Sequence, residues 1–257
     1  MENKLSRRGA LQGLTLGSTS SSLFPNAHAA ATEEPSAATN PQGVCVLFPQ
    51  SVEGPFYFDP KLERSDIAEG REGAPLNIQL RVIESGACTP IANARVDLWH
   101  ADAGGLYSGY AGQGATRDVS TKGQTYLRGS QSTDVDGRVM FRSIYPGWYP
   151  GRTPHIHVKV FLDAKSLVTG QMYFPDGLSR RIYDELAPYN TRPVPDTANT
   201  DDFIFTSGGR EGGGTVLAVS DNDTGITAAL LIAIDRTGTA ALKAGGWGGW
   251  LRGLFGR

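Results

Sequence analysis

The sequence has little of several features that would assign it to a well-marked class of proteins. No run approaches the ~18 consecutive apolar residues that a membrane-spanning helix needs. The 24 basic and 26 acidic residues leave a net charge of −2, which gives no indication of a surface for nucleic acid. The 2 cysteines allow at most one intramolecular disulfide. These features exclude a membrane-spanning helix and give no support to nucleic-acid binding, so we expect a globular domain whose function depends on individual residues.

The first 29 residues have the pattern of an export signal. Paired arginines at positions 7 and 8 lead into a mildly apolar run over 10–23, and residues 27–29 form an A-x-A cleavage site. The arginine pair and the weak hydrophobicity favour a twin-arginine signal peptide over 1–29, and an ordinary secretory signal is the alternative. We therefore expect an exported protein, either periplasmic or extracellular.

The cysteines and the flanking segments set the expected boundaries of the domain. In an exported protein, Cys45 and Cys88 would form a disulfide that joins the N-terminal arm to the start of the first sheet; two buried thiols are the alternative. Residues 30–43 are rich in Ala, Thr, Glu, Pro and Ser without periodicity, which indicates a disordered lead. The folded domain is then expected over 44–235, followed by a Gly- and Trp-rich tail over 236–257.

The C-terminal tail has a pattern with two interpretations. Five large apolar residues fall at helical spacing, with basic residues nearby: Trp247, Trp250, Leu251, Leu254 and Phe255. Such a stretch could form an amphipathic anchor on a membrane or on a partner. The glycines of the same segment would each cost about 1 kcal/mol in a helix, which favours a floppy tail or a segment packed against its own domain.

Short runs of alternating apolar and polar residues dominate the rest of the chain. They cover residues 76–82, 95–99, 138–142, 155–162, 215–220 and 226–235. Gly, Pro, Asn and Asp clusters separate them, a pattern typical of a sandwich or a barrel. We expect an all-β fold: a β-sandwich of short, mostly antiparallel strands with long loops that carry the metal site. One short helix is expected near 178–186.

A candidate metal site begins with two histidines on one strand. His155 and His157 point to the same side of a strand, because side chains at i and i+2 share a face. The apolar residues Ile156, Val158 and Val160 occupy the other side and would face the core. Both imidazoles can therefore reach one metal ion. The His-x-His pattern also occurs for packing reasons, so the pair alone does not decide between the two interpretations.

Two loops rich in glycine or proline can bring tyrosines to this pair. One is the segment 145–154, which contains Tyr149, and the other turns through two glycines before Tyr107. A zinc site with two histidines needs a further Asp, Glu or Cys ligand, and a ferrous oxygenase site needs a carboxylate. No Asp, Glu or Cys lies beside the two histidines in the sequence. Phenolate is a hard, anionic donor that favours a trivalent ion. Two phenolates and two imidazoles would suit Fe(III).

Four blocks of the sequence resemble the intradiol ring-cleavage dioxygenases, a family that includes the catechol and protocatechuate 3,4-dioxygenases. The two longer blocks cover 96–107 and 145–157, and the shorter ones cover 54–57 and 171–174. The resemblance spans about residues 44–235. It implies a non-haem Fe(III) enzyme that takes a small-molecule catechol and O2 and opens the ring between the two hydroxylated carbons, giving a muconate-type diacid.

The resemblance also implies roles for individual residues. Tyr107 and His157 would be lasting iron ligands, while Tyr149 and His155 would be axial. Tyr149 would leave the iron when a catechol binds as a dianion, and is therefore also counted among the catalytic residues.

Three further residues match family positions or neighbour them. Arg152 would stabilise negative charge on the ring, with a solvated loop arginine as the alternative. Gln171 matches a glutamine near the oxygen site, or is a plain strand residue. Tyr57 is a candidate for lining the substrate pocket, or belongs to the core. The loop between Tyr149 and His155 is much shorter than in cytoplasmic catechol dioxygenases, and their helical N-terminal domain has no counterpart here.

Two other functions remain compatible with these residues. A periplasmic copper- or zinc-binding protein could use His155 and His157 without the tyrosines. A non-catalytic β-sandwich module could bind aromatic compounds on the same architecture.

Overall fold

The computed structural model describes residues 45–114, 116–207, 214–222 and 225–237 of the chain. The expected signal peptide over 1–29, the lead over 30–43 and the tail from residue 238 onward lie outside the described residues. Among the described helices, none is long and apolar enough to cross a membrane.

The described chain contains nine strands and two helices. The strands are β1 Pro75–Glu84, β2 Arg95–Trp99, β3 Arg128–Ser132, β4 Arg138–Ile144, β5 His155–Leu162, β6 Lys165–Tyr173, β7 Thr215–Val216, β8 Ala218–Asn222 and β9 Gly225–Ile234. The helices are α1 Asp176–Glu185 and α2 Phe203–Ser207, with 3-10 turns at Tyr189–Thr191 and Asn199–Asp201.

The strands form two sheets. One has the order β4-β1-β9-β8 and the other the order β3-β2-β5-β6-β7. The pairs β1–β9 and β6–β7 are parallel, and the other pairs are antiparallel. The expected β-sandwich of mostly antiparallel strands is thus confirmed. The prediction of one short helix was incomplete, because five-residue α2 is too short to show a helical period.

The core lies between the two sheets and follows the alternation of the sequence. On β1 every second residue is buried, namely Leu76, Ile78, Leu80 and Val82, and the polar residues between them are partly exposed. Ile156, Val158 and Val160 of β5 are 0% exposed on the facing sheet. Each such side chain contributes roughly 1.5–3 kcal/mol of hydrophobic stabilisation. This packing fixes the orientation of β5 and turns its histidines to the outer face.

An N-terminal arm, residues 45–64, covers that outer face. Its first residue, Cys45, forms a disulfide with Cys88 after β1, the pairing favoured by the sequence. The Ser51 backbone N–H then donates to the Thr169 carbonyl on β6 (2.8 Å), and further along the arm reaches β3. The arm therefore crosses the five-stranded sheet and shields the histidines from solvent.

Candidate metal centre

Four side chains converge on the outer face of the five-stranded sheet. The phenol oxygen of Tyr107 lies 3.1 Å from Nε2 of His157 and 3.3 Å from Nε2 of His155. The phenol oxygen of Tyr149 lies 3.1 Å from the same nitrogen of His155. Tyr107 and both histidines are at most 3% exposed, and Tyr149 is half-buried. The structure thus brings together the four residues that the sequence analysis proposes as ligands.

The loop after β2 places Tyr107 through short local bonds. Oδ1 of Asp102 accepts from the backbone N–H groups of Gly104 (2.9 Å) and Leu106 (3.0 Å), which closes the turn. The carbonyl of Tyr107 accepts from the hydroxyl of Thr121 at 2.6 Å. Hydrogen bonds therefore hold both the turn that precedes Tyr107 and the carbonyl of Tyr107 itself.

The loop that carries Tyr149 is bonded to the loop that carries Tyr107. Arg192 donates from Nη1 to the carbonyl of Ala103 and from Nη2 to the carbonyl of Trp148, both at 2.9 Å. Gly105 has φ +82°, and a Cβ added there would lie 2.3 Å from the Trp148 carbonyl oxygen. Only glycine fits this contact, so the two tyrosine loops pack directly against each other.

The hydrogen bonds of the histidines decide which nitrogen faces the tyrosines. Nδ1 of His155 lies 2.7 Å from the carbonyl of Thr153, which can only accept. His155 is therefore the Nδ1–H tautomer, and its Nε2 lone pair points at the phenols. His157 stacks on Trp99, with ring centroids 4.8 Å apart and an angle of 11°. Its Nδ1 has no hydrogen-bond partner among the described residues.

Electrostatics keep this group neutral before any cation arrives. Burial, helped by the Arg152 charge, holds the pKa of both His155 and His157 well below its usual value. Burial raises the pKa of Tyr107 and of Tyr149, and Arg152 opposes that rise at Tyr149. Two imidazole lone pairs and two phenol protons therefore share the site. A cation that displaces both protons would gain two phenolate charges.

Arg152 and Gln171 lie at the edge of the four donors, beside Tyr149. Nη1 of Arg152 donates to the phenol oxygen of Tyr149 at 3.3 Å, and Nη2 donates to Oε1 of Gln171. Nε of Arg152 forms an ion pair with Asp202 at 2.9 Å. Gln171 in turn donates from Nε2 to the Val52 carbonyl of the arm at 3.2 Å. Arg152 is thus a held side chain and not a solvated loop arginine.

Tyr57 lies behind the site. Its hydroxyl donates to Oδ2 of Asp97 at 2.9 Å, and its ring packs against Trp99 with centroids 4.7 Å apart. The neighbouring Phe56 stacks on Tyr107, with centroids 4.5 Å apart and an angle of 20°. Phe56 thus contacts a proposed ligand directly, and the sequence did not single it out. The role of Tyr57 in the substrate pocket stays a prediction.

Other residues of the site had no signal in the sequence strong enough to single them out. Trp99 and Thr153 lie within the blocks that resemble the family, but only the structure shows what they contact. Arg192 and Asp202 lie far along the chain from the tyrosines and histidines they support. A polar residue in an irregular segment gives no periodicity from which its partner could be inferred.

Comparison with known proteins identifies the family of this chain. A family model described as "Dioxygenase" matches residues 52–192. The structure of an intradiol ring-cleavage dioxygenase from Tetranychus urticae is 31% identical, with a TM-score of 0.67 over 74% of this chain and 95% of that chain. The chain therefore belongs to the intradiol ring-cleavage dioxygenase family, which confirms the resemblance, and members of this family are oxidoreductases.

Two curated relatives are similar over shorter stretches. Catechol 1,2-dioxygenase 1 of Acinetobacter lwoffii is 29% identical over 180 residues, which are 61% of this chain and 54% of that protein. The protocatechuate 3,4-dioxygenase beta chain of Burkholderia cepacia is 37% identical over 118 residues, 41% of this chain and 48% of that one. The chain thus spans about half the length of the curated relatives it matches.

Proposed function

We propose that this protein is a non-haem ferric dioxygenase that uses O2 to cleave a catechol-type ring between its two hydroxylated carbons, giving a muconate-type diacid. The observation that carries the proposal is the meeting of two phenol oxygens and two imidazole nitrogens in a buried site. Family membership supports the same class of reaction. Catechol and protocatechuate are the compounds in the names of the two curated relatives.

The donor set fits a ferric ion, which Tyr107, Tyr149, His155 and His157 would hold. Two phenolates supply two negative charges, and two neutral imidazoles complete four donors. Among the described residues, no group of three or more His, Cys, Asp or Glu side chains is placed to hold a metal, so the tyrosines are the anionic ligands available. When bound, ferric iron would supply Lewis-acid activation of a chelated catechol.

Within this proposal, Tyr149 would be the iron ligand that the substrate replaces. Tyr107 is 1% exposed and lies against Phe56, whereas Tyr149 is half-buried and has Arg152 beside its oxygen. As a phenolate, Tyr149 would take a proton at Oη from one catechol hydroxyl, and Nη1 of Arg152 is already placed to donate to that oxygen. The Arg152 guanidinium also stabilises negative charge that develops on the ring. Gln171 keeps this guanidinium in place.

We also propose that the protein acts outside the cytoplasm. The twin-arginine pattern at residues 7 and 8 supports export. The Cys45–Cys88 disulfide supports it independently, because disulfides form and persist mainly in oxidising compartments.

Purified full-length protein tests the proposed activity. We expect iron bound in equal amount to protein, a strong visible ferric–tyrosinate absorption, and oxygen uptake with at least one of catechol, hydroxyquinol and protocatechuate. A protein that binds zinc or copper instead and lacks the ferric–tyrosinate band, or a folded iron protein that leaves the whole panel intact, would contradict the proposal. The first result would favour metal binding through His155 and His157, and the second a non-catalytic module.

A further inference from the structure

Asp202 is a buried carboxylate that lies outside the segment matched by the family model. It is 0% exposed and follows the 3-10 turn Asn199–Asp201, directly before α2, whereas the matched segment ends at residue 192. A buried charge without partners is strongly destabilising, so a carboxylate in this position has to be satisfied within the protein. Its partners therefore indicate its role.

The two oxygens of this carboxylate have different partners. Oδ1 accepts from the backbone N–H groups of Ile204 (2.8 Å) and Phe205 (3.2 Å) and so caps α2. Oδ2 accepts from Nε of Arg152 (2.9 Å) and from the backbone N–H of Thr153 (3.1 Å). One oxygen thus holds the helix, and the other holds the loop that leads into β5.

Both partners of Oδ2 lead directly to the metal centre. With Nε held by the carboxylate, Arg152 presents Nη1 to the phenol oxygen of Tyr149 at 3.3 Å. Thr153, whose N–H is held by the same oxygen, carries the carbonyl that accepts from Nδ1 of His155 at 2.7 Å. A single carboxylate oxygen is therefore one step away from two of the four donors, through two separate routes.

We propose that Asp202 is a positioning residue of the metal centre, which holds the Arg152 guanidinium against Tyr149 and the Thr153 carbonyl against His155. The buried ion pair restricts a long side chain that would otherwise sample several rotamers. The bond to the Thr153 N–H fixes the peptide that precedes this residue, and the Thr153 carbonyl, in the peptide that follows, selects the tautomer of His155. The effect on turnover rests on the function proposed above, whereas the effect on these side chains is a property of the chain itself.

Two substitutions separate the roles of the two oxygens. Asp202→Asn can turn its carbonyl toward α2, but its amide group then meets two other donors, Nε of Arg152 and the N–H of Thr153. Asp202→Ser retains a good cap for α2 and lacks the second acceptor. Asp201→Asn is the matched control, because it makes the same change at an exposed neighbour.

The first measurement is made on the metal-free protein. Nitrogen NMR of His155 should show the Nδ1–H tautomer alone in the wild type and in Asp201→Asn. Both Asp202 variants should show a mixture of tautomers, because the backbone of Thr153 is no longer held at its N–H. A single Nδ1–H tautomer in both Asp202 variants would overturn the proposal.

The second measurement uses the iron-loaded protein. Both Asp202 variants should weaken the visible tyrosinate band and lower kcat for catechol by roughly 10- to 100-fold, the usual cost of losing a group that orients a metal site. In an Arg152→Gln background the same substitutions should lower kcat less, because the route through Arg152 is already lost and only the route through Thr153 remains. Equal losses in both backgrounds would overturn the proposal. Loss of the fold in both Asp202 variants, seen by circular dichroism, would overturn it too, since Asp202 would then serve the fold alone.

Failure of the proposed function has a different signature. A wild-type protein that binds no iron, or leaves every catechol intact, would contradict the dioxygenase assignment. The tautomer of His155 in the metal-free variants would still decide whether Asp202 positions the site.

Discussion

Tyr107 and His157 are 50 residues apart in the chain, yet the phenol oxygen of one lies 3.1 Å from Nε2 of the other. Strand register contributes to this proximity, because Trp99 pairs with His157 across β2 and β5 and the chain turns back toward β5 soon afterwards. Phe56 and Trp99 pack against the outer sides of the two rings. This pair is the enclosed part of the centre, and Tyr149 is the part nearer solvent.

The two tyrosines should therefore respond differently to loss of the hydroxyl. Tyr149→Phe should weaken the visible band and slow turnover by roughly 100-fold, because the group that takes the catechol proton is gone. Tyr107→Phe should lose the bound iron more completely, since this enclosed oxygen has no substitute. Iron content, the visible spectrum and oxygen uptake measured on both variants decide the matter. Equal behaviour of the two variants would show that the assignment of a releasable ligand is wrong.

Removal of His157 should abolish stable iron binding. Its imidazole is a proposed ligand, so the affinity should fall by more than the roughly 10- to 100-fold that changes around a ligand cost. Lys159→Ala is the control, because Lys159 is the next residue on the same face of β5. Metal-free proteins are titrated with ferric citrate while the visible band is followed. Full iron occupancy in His157→Ala would mean that the ligand set is different.

A methyl group at Gly105 should separate the two tyrosine loops. Gly105 and Gly123 both have positive φ, +82° and +80°, so alanine costs roughly 1–2 kcal/mol of strain at either position. Only at Gly105 would the new Cβ also meet the Trp148 carbonyl oxygen, 2.3 Å away, whereas nothing lies within 4 Å at Gly123. Gly105→Ala should therefore lower both the free energy of unfolding and the iron affinity, and Gly123→Ala should lower only the first. Unchanged iron affinity in Gly105→Ala would argue against coupling of the loops.

Acid should destabilise the fold through His100. This residue is 1% exposed, and its nitrogens lie 2.8 Å from the Ala101 carbonyl and 2.7 Å from the Ser143 hydroxyl. Burial, with help from the Arg128 charge, lowers its pKa from 6.5 to about 4. The unfolded chain therefore binds more protons between these pH values, so stability falls as the pH drops through this window, by about 3 kcal/mol.

Urea unfolding of metal-free wild type and His100→Asn at pH 7 and pH 4 measures this contribution. The wild type should lose about 3 kcal/mol more than the variant over this interval. The other buried histidines titrate in both proteins and cancel in the difference. Identical losses would show that His100 does not titrate as its burial requires.

The alternation of the sequence was enough to predict the sandwich and the direction of the histidines. Ile156 and Val158 are buried in the core, so His155 and His157 have to face outward. The same method misses β3, whose sequence Arg128–Ser132 has no apolar residue. Hydrogen bonds to β2 hold that strand in place, and these depend on a neighbour that the local sequence does not contain.

The supporting residues of the centre could not be predicted for a related reason. Asp202 and Arg192 each act through two polar contacts across long sequence separations, and such contacts leave no periodic pattern in the sequence. The choice between Phe56 and Tyr57 was also beyond the sequence. The side chains of these two adjacent residues point in different directions. Which of them contacts Tyr107 depends on the path of the arm across the sheet.

The parallel pair β1–β9 has a consequence for how the chain folds. Leu76, near the beginning of the sandwich, lies opposite Ile226, near its end, and the ladder continues to Glu84 and Ile234. Such a pairing closes a long loop before it gains any contact energy, which makes folding slow. A ribosome therefore has to synthesise nearly the whole domain before its central strands can meet. Shortened or stalled chains would expose the apolar face of β1 and would be prone to aggregate.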